Sequence, residues 1–88
     1  MKIYAILDLG YVSVEALATA ATDLCAGGAQ LLQLRAKNHT EEQILQMAQE
    51  VRPICAGHGI PFIVNDHPRV AAMVNADGIH LGQDDGNL

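Results

Sequence analysis

Four short apolar runs alternate with three longer stretches whose apolar residues recur at helical spacing, and this rhythm most narrows what the chain can become. The runs fall at residues 2–8 (KIYAILD), 31–35 (LLQLR), 62–65 (FIVN) and 78–82 (GIHLG). Each is strand-sized, and each is followed or preceded by turn-forming residues. Strands that alternate with helices of 10–15 residues build βαβ units and a parallel sheet. In the first helical stretch Ser13 is placed to cap, and Val12 and Leu17 have the spacing of a hydrophobic staple. Val14, Leu17, Ala21, Leu24 and Cys25 share one helical face, and Gly27–Gly28 stops the helix. The second stretch opens on TEEQ at 40–43, a capping-box spacing, with Glu41 and Glu42 suited to the positive end of the helix dipole. Ile44, Met47, Ala48, Val51, Ile54 and Cys55 continue the period, and Pro53 predicts a kink or break near Val51–Arg52. After a loop at 57–61, the third run leads to Pro68, which fits a first helical turn. Val70, Ala71, Met73 and Val74 form the inner side of that helix.

The expected fold class is therefore α/β: parallel βαβ units with four strands and three helices, either a fragment such as the first half of a TIM (β/α)8 barrel, one half of an assembled barrel, or a small open sheet. A closed barrel takes twice as many units and about 250 residues, whereas this chain has 88. The 88 residues read as one partial domain. A four-stranded parallel sheet has two open edges, and open edges invite pairing, so a homo-oligomer is one expectation.

Composition removes other classes. The net charge is −5, with five Lys and Arg in total, which argues against nucleic acid or an anionic membrane as partner. No apolar run approaches the ~20 residues of a membrane span. The N-terminal run is interrupted by Asp8 and reads as a strand, not a signal peptide, so the expected location is the cytoplasm. Cys25 and Cys55 both fall on apolar helix faces and read as buried thiols. His80 lies mid-strand and reads as a core histidine. His39, His58 and His67 have no zinc spacing.

In parallel α/β folds ligands sit at the carboxyl ends of the strands. Side chains alternate along a strand, so Leu32 and Leu34 face the helices while Gln33, Arg35 and Lys37 face the other way. A row of amide and two cations is costly to bury without a partner, and a multivalent anion supplies one. Arginine grips phosphate oxygens in pairs, while lysine acts as a mobile point charge. Read singly, Arg35 and Lys37 also suit a solvated strand exit. The third run ends in Asn65 and Asp66, and the fourth is followed by Gln83, Asp84 and Asp85. Neighbouring strands lie ~4.8 Å apart, so Asp66 and one acid of the Asp84–Asp85 pair can converge on one ion. Two carboxylates completed by water and phosphate suit Mg²⁺. Read singly, Asp66 also suits the start of the helix at Pro68, and Asp84 and Asp85 a solvated turn.

QLRAK at 33–37, PFIVND at 61–66 and ADGIHLGQDD at 76–85, in this order and spacing, resemble the thiamine-phosphate synthase (thiamine-phosphate pyrophosphorylase) family. The resemblance covers nearly the whole chain and about the N-terminal half of the family's (β/α)8 barrel. It implies a transferase of thiamine biosynthesis. Such an enzyme joins 4-amino-2-methyl-5-hydroxymethylpyrimidine diphosphate to a thiazole phosphate and releases pyrophosphate. It further implies that Gln33, Arg35, Lys37 and Asn65 bind the pyrimidine diphosphate, and that Asp66 and Asp85 hold Mg²⁺. The implied reaction is dissociative: the leaving pyrophosphate is stabilised by cations and metal, and the thiazole nitrogen captures a pyrimidinylmethyl cation. The family's thiazole-phosphate contacts have no counterpart in these residues. Two alternatives remain. A thiazole tautomerase-like protein does not need the metal pair, and the complete set of motifs argues against it. A non-catalytic half-barrel that self-associates as a binding module follows from the open edges.

Overall fold

The computed structural model describes residues 3–80, with the backbone alone for His80. The elements in order are β1 (Tyr4–Asp8), α1 (Leu17–Ala26), β2 (Leu31–Arg35), α2 (Glu41–Gly57), β3 (Phe62–Asn65), α3 (Pro68–Met73) and β4 (Gly78–His80). The four strands form one parallel sheet in the order β1-β2-β3-β4. The α/β class and the parallel βαβ rhythm are thus those expected. Of the strand predictions, residue 2 at the start of the first and residues 81 and 82 at the end of the fourth lie outside the described residues.

Strand alternation sorts the sheet into two faces. Ala5 and Leu7, Leu32 and Leu34, and Phe62 and Val64 point to the helical side, and all six are buried. Leu7, Leu32, Leu34, Phe62 and Val64 pack against Leu17 and Ala21 of α1, Ile44, Met47, Ala48, Val51 and Cys55 of α2, and Val70 of α3. Burying each Leu, Val or Phe of this cluster contributes ~1.5–3 kcal/mol, so the core between sheet and helices organises the domain. The opposite face carries Tyr4, Ile6, Gln33, Arg35, Ile63 and Asn65. Tyr4 and Ile6 are exposed there, at 62% and 54%. Gly78 stands beside Ile63 in the register, where a Cβ would lie 2.8 Å from Ile63 Cδ1. The missing side chain at Gly78 makes room for that isoleucine.

Short polar clamps fix where the strands begin. The Ile3 and Gln30 backbones are joined by a 2.8 Å bond, and Gln30 Oε1 also accepts from the Ile3 N–H at 2.9 Å. Asp77 does the same between β3 and β4. Its N–H donates to the Phe62 carbonyl, and its Oδ2 accepts from the Phe62 N–H, each at 2.8 Å. Arg52 Nε donates to the Asn75 carbonyl at 3.0 Å and ties α2 to the turn before β4.

Three local expectations change. Ser13 is not the cap of α1, because the helix starts at Leu17 behind Ala16. The Asp8 carbonyl takes the N–H groups of Tyr11 and Val12, and residues 13–17 then run as successive tight turns. Ser13 Oγ accepts from Ala16 N–H at 3.2 Å inside that turn. The tighter winding rotates Val14 off the apolar face, leaving it 48% exposed. Pro53 does not break α2, which runs from Glu41 to Gly57. The carbonyl that loses its donor belongs to Gln49, and Gln49 and Pro53 are both exposed, so water can satisfy it. Met73 is exposed and not an inner residue of α3. That helix has six residues, and only Val70 and Ala71 reach the core. The capping box at Thr40 and Gln43 forms as predicted. Pro68 occupies the first turn of α3. Beyond α1, Gly28 takes a φ of +105°, a left-handed conformation open mainly to glycine.

Candidate site at the carboxyl ends of the strands

The site residues predicted from β2 fall where alternation places them. Gln33 and Arg35 lie on the sheet face opposite the helices, both half-buried. Across the sheet Gln33 pairs with Ile6 and Ile63, and Arg35 with Asp8. The Gln33 side chain is held by Asn65, whose Nδ2 donates to Gln33 Oε1 at 3.0 Å. With its oxygen engaged, Gln33 retains amide N–H groups to offer an acceptor. Asn65 is the one buried polar residue among those described, at 8% exposure.

Arg35 Nε is buried and has no hydrogen-bond partner among the described residues. A buried guanidinium N–H without an acceptor costs free energy comparable to a lost charged hydrogen bond. The ion pair between the described residues, Arg69 with Glu41 at 3.5 Å, lies on the exposed helical surface and does not involve this row. Lys37 follows the buried Ala36 and is exposed. Its carbonyl accepts from His39 Nδ1 at 2.9 Å, which fastens the loop while the ammonium stays in solvent.

Asp66 follows β3 directly, half-buried, with a φ of +65°. That left-handed conformation is uncommon outside glycine and is best tolerated by Asn and Asp. It turns the chain sharply out of β3 into α3. The residue at the cap of α3 is His67, whose side chain makes no capping bond, so Asp66 is not the helix cap. Gln83, Asp84 and Asp85 lie outside the described residues. The structure therefore brings together Gln33, Arg35, Asn65 and Asp66 on adjoining strand ends and places Lys37 just beyond. Among the described residues no three His, Cys, Asp or Glu converge as a metal cluster. A Mg²⁺ site with two protein carboxylates needs no such cluster.

Sequence reasoning passed over Asp8. It ends β1 in register with Arg35, and its Oδ1 accepts from the Gly10 N–H at 2.8 Å. The signal was available, since Asp8 falls on the Tyr4–Ile6 side of the alternation. Behind the sheet, Cys25 and Cys55 are free and buried, as read from the sequence. Burial, and next the neighbouring Cys25, push the Cys55 thiol up to about 12.

A parallel sheet of βα units, with polar side chains gathered where its strands end, defines this chain as an α/β protein with a candidate strand-end site. More particularly, the chain belongs to the thiamine monophosphate synthase family, whose model matches residues 3–88. A thiamine-phosphate synthase of Alcanivorax borkumensis is 44% identical over 86 residues, covering 98% of this chain and 40% of that protein. One from Herpetosiphon aurantiacus is 46% identical over 85 residues, covering 96% and 41%. Among solved structures, a thiamine phosphate pyrophosphorylase from Pyrococcus furiosus matches with a TM-score of 0.71 and 29% identity, covering 89% of this chain and 37% of that one. The chain spans about two fifths of the length of the curated relatives it matches.

Proposed function

We propose that these residues supply the pyrimidine-diphosphate side of a thiamine-phosphate synthase site. In this reading residues 1–88 form the N-terminal half of a (β/α)8 barrel that works in the cytoplasm on small-molecule substrates. The observation that carries it is the buried, unpartnered Arg35 Nε beside the Gln33–Asn65 pair. A phosphate oxygen is the acceptor that this arrangement lacks. The Gln33 amide donates on the sheet face, Arg35 pairs with the diphosphate, and Lys37 adds a mobile charge at the mouth. Asn65 holds Gln33 in place from the next strand. Gln33 is held before the leaving group departs, and it and the two cations favour the transition state, where charge builds on the pyrophosphate.

Asp66 and Asp85 would hold Mg²⁺. The carboxylate of Asp66, turned out of β3 by its left-handed backbone, has the hard oxygen donors the ion prefers. When bound, the ion would neutralise charge on the leaving pyrophosphate. Bond formation to the thiazole nitrogen requires no side-chain nucleophile or general base from this chain.

Calorimetry with pyrophosphate, with and without Mg²⁺, tests the reading on a chain of the relatives' full length. Arg35→Ala and Asp66→Ala should each weaken Mg²⁺-dependent binding about tenfold or more, the scale of a lost charged contact. Unchanged affinity and turnover in both variants would remove the site assignment. A second reading rests on a separate observation, the exposure of Tyr4 and Ile6 on the sheet face: a second copy of the chain covers that face as a self-associating half-barrel.

A further inference from the structure

A cavity of ≈ 360 Å³ opens between the turn ahead of α1 and the first half of α2, lined by Val14, His39, Gln43, Gln46, Met47 and Glu50. We infer that it is a binding site for a small organic cation with an apolar body, distinct from the strand ends. Residues 43, 46, 47 and 50 have the i, i+3, i+4, i+7 spacing of a single helical face, so α2 supplies one continuous wall. Val14 supplies the facing apolar surface, having been rotated out of the core by the tight turns at 13–17. Its 48% exposure is an apolar side chain left at a cavity mouth. Met47, 4% exposed and packed in the core, adds a small apolar surface to the lining.

The polar lining has one sign. Glu50 brings a carboxylate, and among the described residues no Lys or Arg lines the cavity. His39 Nδ1 lies 2.9 Å from the Lys37 carbonyl. A carbonyl only accepts, so Nδ1 carries the hydrogen and this bond holds the ring against the loop. Gln43 Oε1 is already engaged by the Thr40 N–H at 2.9 Å, which fixes that side chain along the wall. The Glu50 carboxylate beside Val14 and Met47 selects an amidinium or ammonium group on an apolar body. None of the six residues belongs to the row Gln33, Arg35, Lys37, Asn65 and Asp66, so this site stands or falls independently of the proposed function.

Benzamidine and benzoate, matched in shape and opposite in charge, test the inference on the whole chain by amide NMR. Benzamidine should shift the amides of Gln43, Gln46, Met47 and Glu50 saturably, and benzoate should not. Glu50→Gln should weaken benzamidine about fivefold, the scale of an exposed ion pair. Val14→Lys, at an exposed position, should abolish binding by placing a cation at the mouth. Both variants should keep the parent spectrum away from the cavity, which separates lost binding from lost folding. Equal shifts with benzoate, shifts that map elsewhere, or unchanged affinity in Glu50→Gln would each overturn the site.

Discussion

At the scale of single residues, the polar groups at the sheet fall into two sets: those tied to backbone and those turned to the free sheet face. Asp77, Gln30 and Arg52 are tied to backbone carbonyls or N–H groups at the start of strands. Gln33, Arg35 and Asn65 are turned to the free face. Cys55 belongs to neither set, being a polarisable thiol among apolar side chains. Its pKa is raised from 9.0 to about 12, by burial first and by Cys25 next. The native state thus holds its proton over a range where the unfolded chain has lost it. Proton binding is then greater in the folded form, so stability is complete below pH 9 and falls as pH rises toward 12. Urea unfolding at pH 8, 9.5 and 10.5 should show this decline, and Cys55→Ala should flatten the part due to the thiol. Little thiolate is present below pH 9, so a thiol reagent should label Cys55 at neutral pH only as the chain unfolds.

At the scale of elements, the caps and clamps decide where helices start, and periodicity alone does not. α2 illustrates a start written locally: Thr40 Oγ1 accepts from Gln43 N–H at 3.1 Å, while Gln43 Oε1 accepts from Thr40 N–H at 2.9 Å. Thr40→Ala removes one of these bonds and should cost about 1 kcal/mol, read as a lower urea midpoint with an unchanged slope. α1 illustrates the opposite case. Ser13 looked like a cap by residue type, but the preceding Asp8 carbonyl captured the N–H groups of Tyr11 and Val12 and imposed tight turns first. That competition depends on how β1 exits the sheet, which local spacing does not encode. The strands were legible because a buried run flanked by turn residues has few other solutions. The row of Gln33, Arg35 and Lys37 was legible because strand alternation has a period of two. The Gln33–Asn65 bond was not, since it depends on the register of β2 against β3. Pro53 does not break α2, and with Gln49 and Pro53 both exposed water can satisfy the carbonyl that loses its donor.

At the scale of the whole molecule, one sheet face is closed by helices and the other holds both the site and exposed apolar surface. Tyr4 and Ile6 stand beside the polar row, and β1 and β4 are the ends of the sheet order. In a closed barrel this face is interior, so the same residues that pack a core there are surface here. Exposed apolar side chains next to unpaired strand edges promote association. The 88-residue polypeptide should therefore sediment above monomer mass at tens of micromolar and bind a hydrophobic dye. Tyr4→Glu combined with Ile6→Glu changes only side chains of the free face and leaves Ala5 and Leu7 in the core. It should shift the chain to monomer and reduce dye binding, with far-UV circular dichroism retained. A chain of the relatives' full length should be monomeric through this face without those substitutions, because its own further strands would cover it. Monomer mass and absent dye binding for the unmodified 88 residues would refute the self-associating reading. Those results would leave the strand-end site to be judged by pyrophosphate binding alone.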